Sequence, residues 1–169
     1  MALTAIEVIN TDHFAKGGVK ILSIGTYDAT ASMTSAANHT VTHVPAADVV
    51  IIEFEKETCK FTSSTSQEKG LAMTSVSVEA YIPKLASLTF LAIEAMKGEA
   101  MYAKVELWDG VSYILGWDAV LGGEGVLGTD FALFLESVEA DSGAALADQN
   151  GVTLKLSGIQ GEEPRQVAA

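Results

Sequence analysis

The stretch Val76-Ser77-Val78-Glu79-Ala80-Tyr81-Ile82 changes polarity at almost every step. Successive strand side chains point to opposite faces, so Val76, Val78, Ala80 and Ile82 face a core while Ser77, Glu79 and Tyr81 face away. Pro83 follows. From there to Lys97 the apolar residues Leu85, Leu88, Leu91, Ala92, Ala95 and Met96 fall at the spacing of a helical stripe. Pro83 suits a first helical turn, where its missing N–H costs nothing, and Gly98 suits the position just past a helix end. The spacing therefore predicts one helix over 83–97, set among strands.

Further strands lie on both sides. Ala103, Val105 and Leu107 alternate with Tyr102, Lys104, Glu106 and Trp108, then Asp109-Gly110 leads into Val111–Trp117. A DG pair between two such runs signals a hairpin, because Gly supplies positive φ without steric cost. Phe131, Leu133 and Leu135 alternate with Ala132, Phe134 and Glu136, and Asn150-Gly151 turns the chain into Val152–Leu156. Upstream, Val49–Phe54 is a β-branched apolar run that continues through alternating charges to Phe61. Val19–Tyr27 is entered from Gly17-Gly18, and Ala5–Ile9 reads as a short edge strand. About seven strands with one flanking α-helix predict a mainly β fold, a β-sandwich or half-barrel. Asp28–Ala47 is small and polar and reads as a long loop at 28–47, while 158–169 reads as a C-terminal arm.

The 169 residues fit a single domain and show no internal repeat. Hydrophobic residues are 49% and charged residues 19%, enough to build a core and too apolar for a disordered chain. Ten Lys and Arg against 22 Asp and Glu give a net charge of -12, which argues against a basic nucleic-acid binder or a partner of anionic membranes. Between Lys104 and Lys155 there is no basic residue, while acids run from Glu106 to Asp148. A single cysteine, Cys59, rules out an intrachain disulfide framework. No apolar run is long enough to span a membrane, and the first residues lack a signal-peptide pattern.

Motifs with chemical potential are few. Gly123-Glu124-Gly125-Val126-Leu127-Gly128 matches G-x-G-x-x-G, but a dinucleotide site needs a helix after it, and Glu124 would repel phosphate. A loop between strands explains it better. His39 and His43 would share a strand face, yet they lack further ligands beyond Asp48, so exposed loop histidines are expected. Asp148-Gln149-Asn150-Gly151 is half a calcium loop without the rest, and a turn accounts for it. Cys59 has no histidine at catalytic spacing. Glu53 and Glu55 would share a strand face as solvated acids. Trp108, Tyr113 and Trp117 flank one hairpin and suit either a sugar-stacking platform or a subunit interface. Enrichment of Trp and Tyr at interfaces favours the second. No enzyme, cofactor or metal is expected.

The second half of the chain, read as a block, carries a resemblance. Tyr81-Ile82-Pro83-Lys84 leads from strand to helix. Trp108-Asp109-Gly110 and Tyr113-Ile114-Leu115-Gly116 form a hairpin. Leu121-Gly122-Gly123, Asp141-Ser142-Gly143, Ala147–Leu154, Ser157-Gly158 and Gly161-Glu162-Glu163-Pro164 follow in that order. From Val76 onward this order resembles phage tail tube proteins. The resemblance implies a structural virion protein whose subunits form hexameric rings. Their strands close into one inner β-barrel, and the rings stack into a tube for genome ejection. It implies partners: other copies of itself, other tail or neck virion proteins, and DNA in transit without specific binding. It also implies a place in the virion tail after synthesis in the host bacterial cytoplasm. On this reading the 28–47 segment and the C-terminal arm dock between rings, with His39, His43, Trp108, Tyr113 and Trp117 at subunit contacts. Glu53, Glu55, Glu57 and Glu79 are the candidate acids of the bore. A neck, tail-terminator or connector protein reuses such folds, and a carbohydrate-binding β-sandwich module is the further alternative.

Overall fold

The computed structural model describes residues 18–27, 32–36, 39–45, 48–68, 70–118, 125–126, 129–143 and 150–168. The fold is mainly β, a sandwich of two sheets with one short helix. Twelve strands are described, more than the sequence pattern suggested. They are β1 (Val19–Thr26), β2 (Ser32–Ala36), β3 (Thr40–Val44), β4 (Val50–Ile52), β5 (Lys60–Glu68), β6 (Leu71–Pro83), β7 (Met101–Leu107), β8 (Ser112–Leu115), β9 (Gly125–Val126), β10 (Phe134–Asp141), β11 (Gly151–Gln160) and β12 (Arg165–Val167). The large sheet runs β4-β1-β7-β8-β12-β3-β2-β9, and the small sheet runs β10-β11-β6-β5.

The core follows from the alternation in β6. Val76, Val78 and Ala80 are buried; all three register with β11, and Val76 and Val78 also with β5, strands that bury Val152, Leu154, Leu156 and half-bury Phe61 on the same side. Val19, Leu22, Ile24, Ala103, Val105 and Leu115 of the large sheet face them. The DG pair makes the expected turn: β7 and β8 pair antiparallel, and Gly110 has φ 87°.

The helix α1 (Ser87–Met96) starts later than the apolar spacing predicts. Pro83 is instead the last residue of β6, and Lys84 turns the chain at φ 77°. The stripe also differs. Ile93, absent from the expected set, is the buried anchor, with Leu85 and Met96 packed beside it, whereas Leu91 is 67% exposed. A ten-residue helix laid over one end of a sandwich buries a narrow line, so the broad apolar pattern does not indicate which residues go in. Val49–Phe54 is likewise shortened to the three residues of β4. A turn at Lys56-Glu57, with Glu57 at φ 69°, ends the alternation before β5 begins.

Two expected appendages are part of the body. Within 28–47, β2 and β3 form an antiparallel hairpin paired from Ser32↔Val44 to Ala36↔Thr40. Within 158–169, Gly158–Gln160 end β11 and Arg165–Val167 form β12. β12 sits inside the large sheet, antiparallel to β8 and parallel to β3. Neither segment looks apolar enough to be a strand, because among its described residues each buries only two side chains, Met33 and Val41 in the first and Gln160 and Pro164 in the second.

The large sheet curls. Tyr102 and Ile114 face away from the sandwich core, yet they are buried with Met33, Val41 and Trp117 in a second cluster. β3 lies three strands from β7 in the hydrogen-bonded order, roughly 14 Å if the sheet were flat. The His43 and Tyr102 rings are 5.1 Å apart, so β2 and β3 fold over β7 and β8. Tyr102 also lies across Gly25, where a Cβ would stand 2.6 Å from its ring. Only glycine leaves room for it.

The corner between β11 and β12 is held by polar groups. Arg165 donates twice to Glu162, at 2.9 Å each, and once to Ser35 of β2 at 2.7 Å, with its guanidinium 5.9 Å from the Trp117 ring centre. Buried Asp118 accepts from the Gly161 N–H, and Gln160 donates to the Glu162 carbonyl. The Arg165 and Glu162 side chains are 12% and 13% exposed, so breaking their pair leaves a largely desolvated charge. Arg165→Met is expected to destabilise by about 3 kcal/mol. The check is a lower urea midpoint followed by tryptophan fluorescence, and Arg165→Met combined with Glu162→Gln should recover part of the loss.

Candidate functional site

The small sheet has one apolar and one polar face. Away from the core it presents Thr62, Ser64 and Ser66 of β5, Ser75 and Ser77 of β6, and Thr153 and Ser157 of β11. Thr62 and Ser77 hydrogen-bond across the strands at 2.8 Å. Two ion pairs cross this carpet. Lys60 meets Glu79 at 3.4 Å, and Lys155 meets Glu136 at 2.7 Å. Glu136 is the extra residue at a bulge between Leu135 and Ser137. Hydrogen bonds from Lys155 and Ser157 hold its carboxyl below the usual range. Glu139 and Asp141 of β10 add exposed acid. Among the described residues, no strand pairs with the outer edges of β5 and β10, which are nine and eight residues long.

Of the four acids expected on one bore surface, Glu79 alone lies on a strand. Glu53, Glu55 and Glu57 belong to the connection between β4 and β5, where the Glu55 N–H donates to the Tyr81 carbonyl. Lys60 and Lys155 stand on the same face as Glu79, both ion-paired. The sequence pattern ends at Phe61 and does not single out the hydroxyl residues Thr62–Ser66. Their pairing with the serines of β6 and β11 needed the register.

The aromatic residues do not form a platform. Trp117 is 5% exposed and belongs to the second core, so the subunit itself already covers most of its ring. Tyr113 packs on Phe61 between the sheets, ring centres 5.8 Å apart. Trp108 is 40% exposed and stands under the Lys56 ammonium. Hairpin proximity in sequence could not separate them, because Tyr113 and Trp117 are held on different sides of the curled sheet. Among the described residues no group of three or more His, Cys, Asp or Glu could hold a metal. The described part of the G-x-G-x-x-G stretch, Gly125-Val126, is strand β9, followed by a three-residue helical turn at Thr129–Phe131. Ala5–Ile9 and the connection through Asp148 lie outside the described residues. Cys59 is buried, and burial pushes its thiol up to about 12, leaving it an inert core residue.

The two histidines separate as well. His39 is an exposed turn residue at φ 57°, its Nε2 3.2 Å from the Glu163 carbonyl. His43 is not an exposed loop residue. It lies in β3, half-buried against Tyr102, and its Nε2 is buried without a hydrogen-bond partner among the described residues. The Tyr27 hydroxyl, on another ring against Tyr102, is also buried without a partner among the described residues, and burial raises the phenol's pKa. Such groups cost about 1–3 kcal/mol each. His43 lines a cleft of about 210 Å³ with Ser23, Pro45, Val49, Tyr102, Lys104 and Val167. A larger apolar groove, about 520 Å³, runs between α1 and β4.

No protein-family model matches this chain, and no curated protein and no solved structure matches it.

Burial, with a smaller contribution from the Lys104 charge, lowers His43 from 6.5 to about 4. Unfolded chains therefore bind a proton here that the folded protein refuses, and stability falls as pH drops from 6.5 towards 4. His43→Leu should flatten that part of the pH–stability curve, measured by thermal melts at matched ionic strength. An unchanged slope would show that other groups carry it.

Proposed function

We propose that this chain is a structural subunit that self-assembles into rings through its small sheet, as phage tail tube proteins do. The observation that carries the reading is the pair of long outer edges on β5 and β10, unpaired among the described residues. Such edges template pairing with another chain unless they are blocked, and neither strand contains proline. The small sheet has an even number of strands, all antiparallel. If copies are related by rotation about an axis along the strands, β10 of one meets β5 of the next antiparallel, and the ladder continues across the seam. A head-to-tail contact of this kind closes into a ring.

The polar face would then line the bore. Serines, threonines and ion-paired lysines offer DNA no free cation among the described residues of that face, and Glu139 and Asp141 add net negative charge, so phosphates slide past without being held. The paired strands β2 and β3 and the C-terminal strand β12 are built into the subunit's own sheet and do not carry the reading. The proposal rests on the small sheet instead.

Purified protein is expected to form rings or stacked tubes in negative-stain electron microscopy. Rings that stop at one layer would assign the neck or terminator role. Ser64→Cys on β5, combined with Ser137→Cys, Glu139→Cys or Asp141→Cys on β10, should yield a ladder of covalent oligomers on oxidation for the pair that meets across the seam. Single variants should stop at dimers. A protein that stays monomeric at high concentration and gives no ladder from any pair would sink the proposal.

A further inference from the structure

The cleft beside His43 has a chemistry that the assembly reading does not use. It opens where the curled sheet brings β3 and β12 opposite β1 and β7, and Ser23 and Lys104 are direct register partners on its floor. Pro45, Val49 and Val167 supply apolar walls. The polar groups it contains are donors, or can become donors. Lys104 brings an ammonium, Ser23 a hydroxyl and His43 a buried Nε2 that has no hydrogen-bond partner among the described residues. The neighbouring acids are engaged elsewhere. Glu106, two residues along β7, is bound by Lys20 at 2.8 Å, and Asp48 accepts from Thr26. Among the described residues no carboxylate pairs with Lys104, in a chain of net charge -12 where acids outnumber bases. A cation with no carboxylate partner among the described residues, beside a buried imidazole nitrogen and a hydroxyl, is arranged for an acceptor that the described residues do not provide.

We propose that this cleft is an oxyanion site, in which a carboxylate or phosphate group accepts hydrogen bonds from the Lys104 ammonium, the Ser23 hydroxyl and the His43 Nε2–H. Its volume, about 210 Å³, holds one such group and is too small for a nucleotide. The oxyanion needs no metal. It satisfies the buried nitrogen by fixing the His43 tautomer with hydrogen on Nε2, and it neutralises Lys104 against low-dielectric walls. The same chemistry can come from a free anion or from an acidic side chain of a neighbouring copy.

The test follows the His43 ring by NMR in the full chain, with sodium phosphate and sodium acetate as probes and sodium chloride at matched ionic strength as control. A saturable shift in dispersed subunits, given by phosphate or acetate and not by chloride, assigns a free anion. A shift that arises on self-association without added anion assigns a neighbour's carboxylate. In either case Lys104→Met should weaken the effect about tenfold or more, and Lys104→Arg should keep it. Ser23→Ala is the second variant, expected to weaken binding less and serving if Lys104→Met does not fold. The proposal is overturned if chloride acts like phosphate, if Lys104→Met responds as the parent does, or if His43 is unmoved in every state. The result does not depend on ring formation, since dispersed subunits are read separately.

Discussion

The structure depends on a three-residue strand in the middle of its larger sheet. β12 joins β8 on one side and β3 on the other, so without it the eight-stranded sheet falls into two pieces. Three residues supply too few ladder bonds to hold that position alone. The rest comes from the corner before it, where Arg165 grips Glu162 and Ser35 and lies over Trp117. Those contacts reach into both halves at once. The curl of the sheet, the second hydrophobic cluster and the His43 cleft all require the β2–β3 hairpin to be held over β7 and β8, and β12 is what holds it.

This arrangement divides the work between the sheets. The large sheet is stitched internally by its late strand and hairpin, and its second face is folded on itself. The small sheet is simpler: four antiparallel strands, one apolar face towards the sandwich, one hydroxyl-rich face outward, and two long outer edges. The proposed assembly therefore moves away from the segments that looked like loose arms and onto the most regular part of the fold. It also changes the electrostatic picture. The polar face is mostly neutral hydroxyls crossed by two internal ion pairs, with exposed Ile159 and Phe134 among them and a modest acidic surplus on β10.

Much of the fold was legible where a residue pattern maps directly onto geometry. The alternation of Val76 to Ile82, the Asp109-Gly110 turn and the inward-facing Val152, Leu154 and Leu156 could be read because period-two patterning and positive φ are local properties. The misreadings share a cause. Pro83 closes a strand rather than opening a helix, and Ile93 rather than Leu91 is buried, because the neighbouring strands decide which helical face meets the sandwich. Glu53, Glu55 and Glu57 looked like strand acids until a turn at Lys56-Glu57 interrupted the run. Of the site residues, Glu79 and His43 were singled out in the sequence, whereas Thr62–Ser66, Lys104 and Ser23 carried no signal there.

By itself, the sequence determined the mainly β class, the hairpin at Asp109-Gly110, the buried line of β6, the strong negative charge and the lack of a cysteine framework. Each is written in neighbouring residues or in composition. Only the tertiary structure decided that Arg165–Val167 is a central strand, that Ser32–Val44 is a hairpin folded over the sheet, that Trp117 is core, and that His43 faces Lys104 across a cleft. Those facts join residues far apart in the chain. Their energies come from pairing, desolvation and ion-pair geometry that exist only once the distant segments have met.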